Sequence, residues 1–176
     1  MSTDDDEIAH ISREYGAQII QRPQNLALDS SSSESAMLHA IDVLKVESGI
    51  LVLIQPTSPF TRSTDISQLI AKKHHFDTCM TVCESHAFIW RQSADGSITA
   101  VNHDSKVRRR RQDIEEQEFV ENGACFAVDI ERFRVVGHRF FGRIGFVVMP
   151  KLRSFEIDSP EDLKLADLLS PVLDAE

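Results

Sequence analysis

The chain has 176 residues, 41% hydrophobic and 27% charged, which suits one soluble domain with a buried core. Its 19 Lys and Arg against 28 Asp and Glu leave a formal net charge of −9, a field that repels nucleic acid and anionic membrane over most of the surface. No apolar run approaches the roughly 20 residues of a membrane span, and Met1-Ser2-Thr3-Asp4-Asp5-Asp6 lacks the basic and apolar regions of a secretory signal, so a cytoplasmic location is expected.

Ile8, Ile11 and Tyr15 recur at helical spacing behind an acidic cluster, and Gly16 ends that helix. Residues 17–20 predict a short strand closed by Arg22-Pro23, and the polar stretch Asp29 to Ser33 feeds a helix through Ala36, Leu38, Ile41 and Leu44. Residues 50–54 are continuously apolar, as in a strand buried on both faces of a parallel sheet. A helix from about Thr64 to His74 and a strand over 78–82 follow. Residues 84–101 alternate loosely around Asp95-Gly96, a hairpin-turn signal. Strands over 119–128 and 145–149 and a last helix from Ser159-Pro160 complete an α/β order in one domain. Cys79, Cys83 and Cys125 have no metal-ligand spacing and suit reduced thiols.

Ligands of open parallel sheets collect at the carboxyl ends of strands, which singles out Gln55-Pro56-Thr57-Ser58-Pro59 directly after the apolar strand. This segment is either a Pro-stiffened turn or a rigid loop in which the Gln55 amide orients a polar ligand. In extended backbone Glu156 and Asp158 point to the same side, and two carboxylates suit a hard cation such as Mg²⁺; alternatively, Asp158 caps the final helix. Lys106 and Arg108 to Arg111 concentrate positive charge, as a solvated loop, as a nuclear-import or nucleic-acid patch that the acidic remainder of the chain disfavours, or as an anion clamp. Asn122-Gly123 reads as a turn, with the Asn122 amide equally able to hold a sugar.

In order and approximate spacing, Ser2-Thr3-Asp4, Arg22-Pro23, Asp29 to Ser33, Gln55 to Pro59, Arg111-Gln112, Asn122-Gly123 and Glu156-Ile157-Asp158 resemble the acylneuraminate cytidylyltransferases. The resemblance implies a Rossmann-like, glycosyltransferase-A-like α/β nucleotidyltransferase fold with a mostly parallel sheet. It also implies Mg²⁺-assisted joining of CTP to a sialic-acid-like nonulosonic acid, with release of pyrophosphate. By the same resemblance Arg22 and Ser33 match nucleotide-contacting positions, Gln55 and Arg111 match sugar-acid positions, and Asn122 lies in the family's Asn-Gly turn. Phe126, Phe140 and Phe141 match an aromatic patch near the N-acyl group. Glu156 and Asp158 match the metal-binding acidic pair, with Glu156 where the family usually has Asp. Homodimerisation through an antiparallel excursion over 82–107 is implied as well.

The family's Gly-rich, Arg- and Lys-containing triphosphate loop has no counterpart in these 176 residues. An N-terminally truncated domain without appreciable CTP-dependent activity is therefore expected. Two alternatives are a non-catalytic sugar- or nucleotide-binding module and a cytidylyltransferase for another keto-sugar acid.

Overall fold

The computed structural model describes residues 1–107, 109–113 and 116–173, with only the backbone of Arg111. Helix α1 (Asp6–Glu14) is flanked by two short strands, β1 (Ser2–Thr3) and β2 (Ile20–Gln21), which pair in parallel as a sheet of their own. Asp5 caps α1 by accepting from the Ile8 N–H, and Asp6 and Glu7 lie at its positive end. Helix α2 (Ser33–Val43) follows, capped by Ser32, whose hydroxyl accepts from the Ser35 N–H.

The main sheet has four strands in the order β3 (Ile50–Ile54), β7 (Glu118–Asp129), β4 (Thr78–Ser85), β8 (Ile144–Val148). Strands β3, β4 and β8 run one way, but β7 lies antiparallel between β3 and β4, so the sheet is mixed where mostly parallel pairing is expected from sequence. The reversal follows from the path of the chain. After β4 it leaves the sheet, forms the hairpin β5 (Trp90–Gln92) and β6 (Ile98–Ala100) around the predicted Asp95-Gly96 turn, and returns in the opposite sense. That hairpin lies inside the segment expected to form an excursion.

Helix α3 (Ser63–Lys73) covers one face of the main sheet, where Leu69 meets Cys79, Cys125, Ala127 and Val147. The other face is covered by α2 and by α4 (Ile130–Val136), through Met37, Ile41 and Phe133 against Val128 and Phe141. Cys79 and Cys125 are buried, unpaired thiols; burial raises both, Cys125 to about 11, which keeps them protonated and unreactive. Helix α5 (Pro160–Leu173) closes the described chain. Among the described residues no helix is long and apolar enough to cross a membrane.

The β4–β7 ladder slips at a bulge between Met80 and Val82. There the buried Thr81 hydroxyl accepts from the Cys125 N–H at 2.9 Å and donates to the Cys125 carbonyl at 3.4 Å, replacing the lost ladder bonds. Thr81→Val keeps the shape and leaves the Cys125 groups unmatched. Its expected cost is about 1–3 kcal/mol, measured by urea unfolding.

Candidate functional site

Three segments far apart in sequence meet beyond the carboxyl end of β3. The Gln55 N–H donates to the Ala124 carbonyl at 2.9 Å, which joins the Pro-rich loop to β7 just past the Asn122-Gly123 bend. The Ile157 N–H donates to the Thr57 carbonyl at 2.9 Å, which lays the Glu156-Ile157-Asp158 arm along the same loop. Asn122 links the bend to the start of the arm, its amide donating to the Ser154 hydroxyl at 2.9 Å.

Gly123 explains how closely these pieces approach. Its φ is +64°, and a Cβ there would stand 2.1 Å from Oε1 of Glu156, so the Glu156 carboxylate occupies the space that any other residue's side chain would fill. Glu156 titrates above its ordinary value, chiefly because burial disfavours the anion and also because Asp158 and Glu121 repel it. Asp158 is exposed and does not cap α5. That role belongs to Ser159, whose hydroxyl accepts from the Asp162 N–H at 3.2 Å and donates to the Asp162 carboxylate at 2.7 Å. Glu156 and Asp158 repel one another, and their oxygen donors could hold a hard cation; no cluster of three metal-ligating side chains occurs among the described residues.

The remaining residues singled out by sequence are distributed differently. The Asn122 side chain is buried and turned inward, where it also accepts from the Ala124 N–H at 3.3 Å, so it braces the bend. Phe126 and Phe141 are core residues, 1% and 9% exposed, and Phe140 packs edge-on against Phe126 at 5.8 Å while remaining partly exposed. Arg22 donates to the Ser2 carbonyl at 2.5 Å and the Ser2 hydroxyl at 3.3 Å, and is thereby tied to the β1–β2 pair. Ser33 is the exposed first residue of α2. Arg111 opens a short 3-10 turn, Arg111–Asp113, its side chain being outside the described residues, as is Arg108.

No family model matches the chain. It is 30% identical over 172 residues to the N-acylneuraminate cytidylyltransferase of Escherichia coli, covering 94% of this chain and 40% of that protein. It is 31% identical over 172 residues to N-acylneuraminate cytidylyltransferase B of Danio rerio, covering 95% and 40%. Over nearly its whole length the chain is similar to N-acylneuraminate cytidylyltransferases. It spans about 40% of the length of these curated relatives. Its fold is shared with the crystal structure of 4-diphosphocytidyl-2C-methyl-D-erythritol synthase from Anaerococcus prevotii, with a TM-score of 0.66 at 13% identity over 96% of this chain and 77% of that one.

Two features of this region escape sequence reasoning. Arg139 donates to Glu34 at 2.6 Å while its guanidinium lies 4.7 Å from the ring centre of Phe126, which joins α2 to the aromatic group. The only sequence signal is Arg139 directly before Phe140-Phe141. The second is a buried ion pair between Asp65 and Arg153, formed across 88 residues of chain.

Glu156 also has a signature in stability. A carboxyl whose folded pKa lies above its unfolded value binds its proton more tightly in the fold, so stability falls as pH rises through the window between the two values. Glu156→Gln is expected to raise the melting temperature at about pH 7 and to leave it unchanged at about pH 3, where both carboxyls are neutral. Thermal melts at the two pH values check this.

Proposed function

We propose that the chain forms the sugar-acid and divalent-cation side of a cytidylyltransferase that joins CTP to a sialic-acid-like nonulosonic acid. The observation that carries this reading is the meeting of the Gln55 loop, the Gly123 bend and the arm bearing Glu156 and Asp158. The names of the relatives supply the substrates CTP and sialic acid.

In this reading the Gln55 amide, at a rigid strand tip, offers a donor and an acceptor that orient the sugar acid, assisted by Arg111. Arg22 and Ser33 face the nucleotide, and Phe140 presents the exposed edge of the aromatic group to the acyl substituent. Glu156 and Asp158 are the residues that would hold Mg²⁺, the hard cation that their oxygen donors fit. When bound, Mg²⁺ supplies neutralisation of negative charge on the phosphates. Gly123 keeps the Glu156 carboxylate close to the β7 bend, and the Thr57–Ile157 hydrogen bond fixes the distance between the sugar loop and the acidic arm. The hairpin of β5 and β6 is the element through which two copies associate in a cytoplasmic homodimer.

The test is calorimetric titration of the 176-residue chain with CMP-N-acetylneuraminate, with Mg²⁺ and with EDTA. Mg²⁺-dependent binding is expected, weakened by Gln55→Ala in both conditions. Asp158→Asn should remove the Mg²⁺ dependence and leave the melting temperature nearly unchanged, since Ser159 caps α5. Equal binding with EDTA, or an Asp158→Asn protein that responds to Mg²⁺ like the parent, overturns the assignment.

A further inference from the structure

The arm is held by its backbone, the Ile157 N–H donating to Thr57 and the Asp158 N–H to the Asp162 carboxylate, so the separation of the Glu156 and Asp158 carboxylates depends on what anchors the backbone on either side. Upstream, Arg153 sits in the 3-10 turn Lys151–Ser154, three residues before Glu156, and is 8% exposed. Its guanidinium forms a two-pronged ion pair with the buried Asp65 of α3, Nη2 donating to Oδ1 at 3.0 Å and Nη1 to Oδ2, and it reaches the Phe60 carbonyl at 3.4 Å. Downstream, the arm runs directly into α5, whose last described carbonyl, on Leu173, accepts from Arg62 at 2.6 Å. The Arg62 N–H in turn donates to Asp65 at 2.9 Å. The Asp65 carboxylate thus holds the turn upstream of the arm and, through the Arg62 N–H, the residue that holds the far end of α5, and the loop that begins at Gln55 runs into the same junction through the Phe60 carbonyl.

We infer that Asp65 and Arg153 are positioning residues of the divalent-cation site, setting the separation and direction of Glu156 and Asp158 through the buried ion pair that anchors the turn before them. The inference rests on the proposed reading of those two residues as cation ligands. Two geometric facts support it. Mg²⁺ demands near-ideal octahedral geometry, so a ligand pair must be held to within about 0.5 Å. The chain leaves the 3-10 turn at Phe155 in extended conformation, so a rotation of the turn at Arg153 is carried directly into a displacement of Glu156. The planar fork of Arg153 fixes orientation as well as distance, which a lysine's single ammonium does not.

Mn²⁺ is the probe, its free concentration read by electron paramagnetic resonance in titrations of the 176-residue chain at a temperature where circular dichroism shows each protein folded. Arg153→Lys and Asp65→Glu each keep the charges and break the fork. Each is expected to weaken Mn²⁺ binding by about tenfold, and the double variant to be no weaker than either single one, because both changes remove the same interaction. Should one single variant fail to fold, the other carries the test. Asp158→Asn is the control. If it abolishes Mn²⁺ binding while Arg153→Lys and Asp65→Glu bind as tightly as the parent, the positioning role is overturned and the cation site stands. If the parent shows no Asp158-dependent Mn²⁺ binding, the cation site falls and the positioning role falls with it.

Discussion

The carboxylate of Asp65 is the point on which the arrangement of this chain turns. It sits at the third position of α3, accepts from the Arg62 N–H in the manner of a capping box, and receives both prongs of Arg153 while almost fully buried. Burial by itself would push its pKa up, but the Arg153 hydrogen bonds and the Arg62 N–H outweigh that and hold it below the ordinary Asp value. The stability it contributes is accordingly present above the unfolded Asp range and lost as pH falls through the lower folded value. A buried ion pair of this kind contributes little net stability over a well-packed apolar pair, while loss of one partner leaves an uncompensated charge at a cost of about 3–5 kcal/mol. What the pair supplies is geometry: the planar fork ties the 3-10 turn Lys151–Ser154 to α3 in a defined orientation.

A second constraint comes from β7. Because it re-enters the sheet from the hairpin excursion, it runs against both neighbours, and its twelve residues must serve two purposes. Residues 125–129 pair with β3 and fill the core, whereas residues 118–121 pair with the far end of β4 beyond the bulge. The change between them falls at Asn122-Gly123, where the positive φ of Gly123 bends the strand and the Asn122 amide stitches the bend to Ser154. The candidate site lies where the strand cannot remain regular. Its closest contact, Glu156 against Gly123, requires the absence of a side chain there.

Much of this was legible in the sequence, and the rest was not for physical reasons. The strands at 50–54 and 145–149 declare themselves by unbroken apolar residues, the strand at 78–82 by Cys79, Met80 and Val82 between β-favouring threonines, and the Asp95-Gly96 hairpin by its turn chemistry. The direction of β7 is invisible, since a strand's own side chains do not encode which way its neighbours run. Helix α4 is also hidden, because its seven residues follow a strand without a break and give too short a period to recognise. The Pro-rich loop and the acidic pair stand out as motifs, and whether Asp158 caps α5 is decided only when Ser159 is seen in that position. Phe126 and Phe141 look alike as site or core residues until the sheet shows them enclosed. The Asp65–Arg153 pair leaves no local trace, because each residue taken alone is an ordinary surface charge.

The two sets of carboxylates in this region behave in opposite ways. Asp65 is buried deeply with its charges matched, so its anion is favoured; Glu156 is buried less, has only other carboxylates for company, and its anion is disfavoured. A fold selected for stability alone would not place Glu156, Asp158 and Glu121 within reach of one another's fields in a chain that already carries a net charge of −9. Such repulsion is relieved either by protonation or by a cation. In the proposed reading of Glu156 and Asp158 as cation ligands, the arrangement that is electrostatically unfavourable when empty is what receives positive charge, and the matched pair beneath is what holds the unmatched pair together.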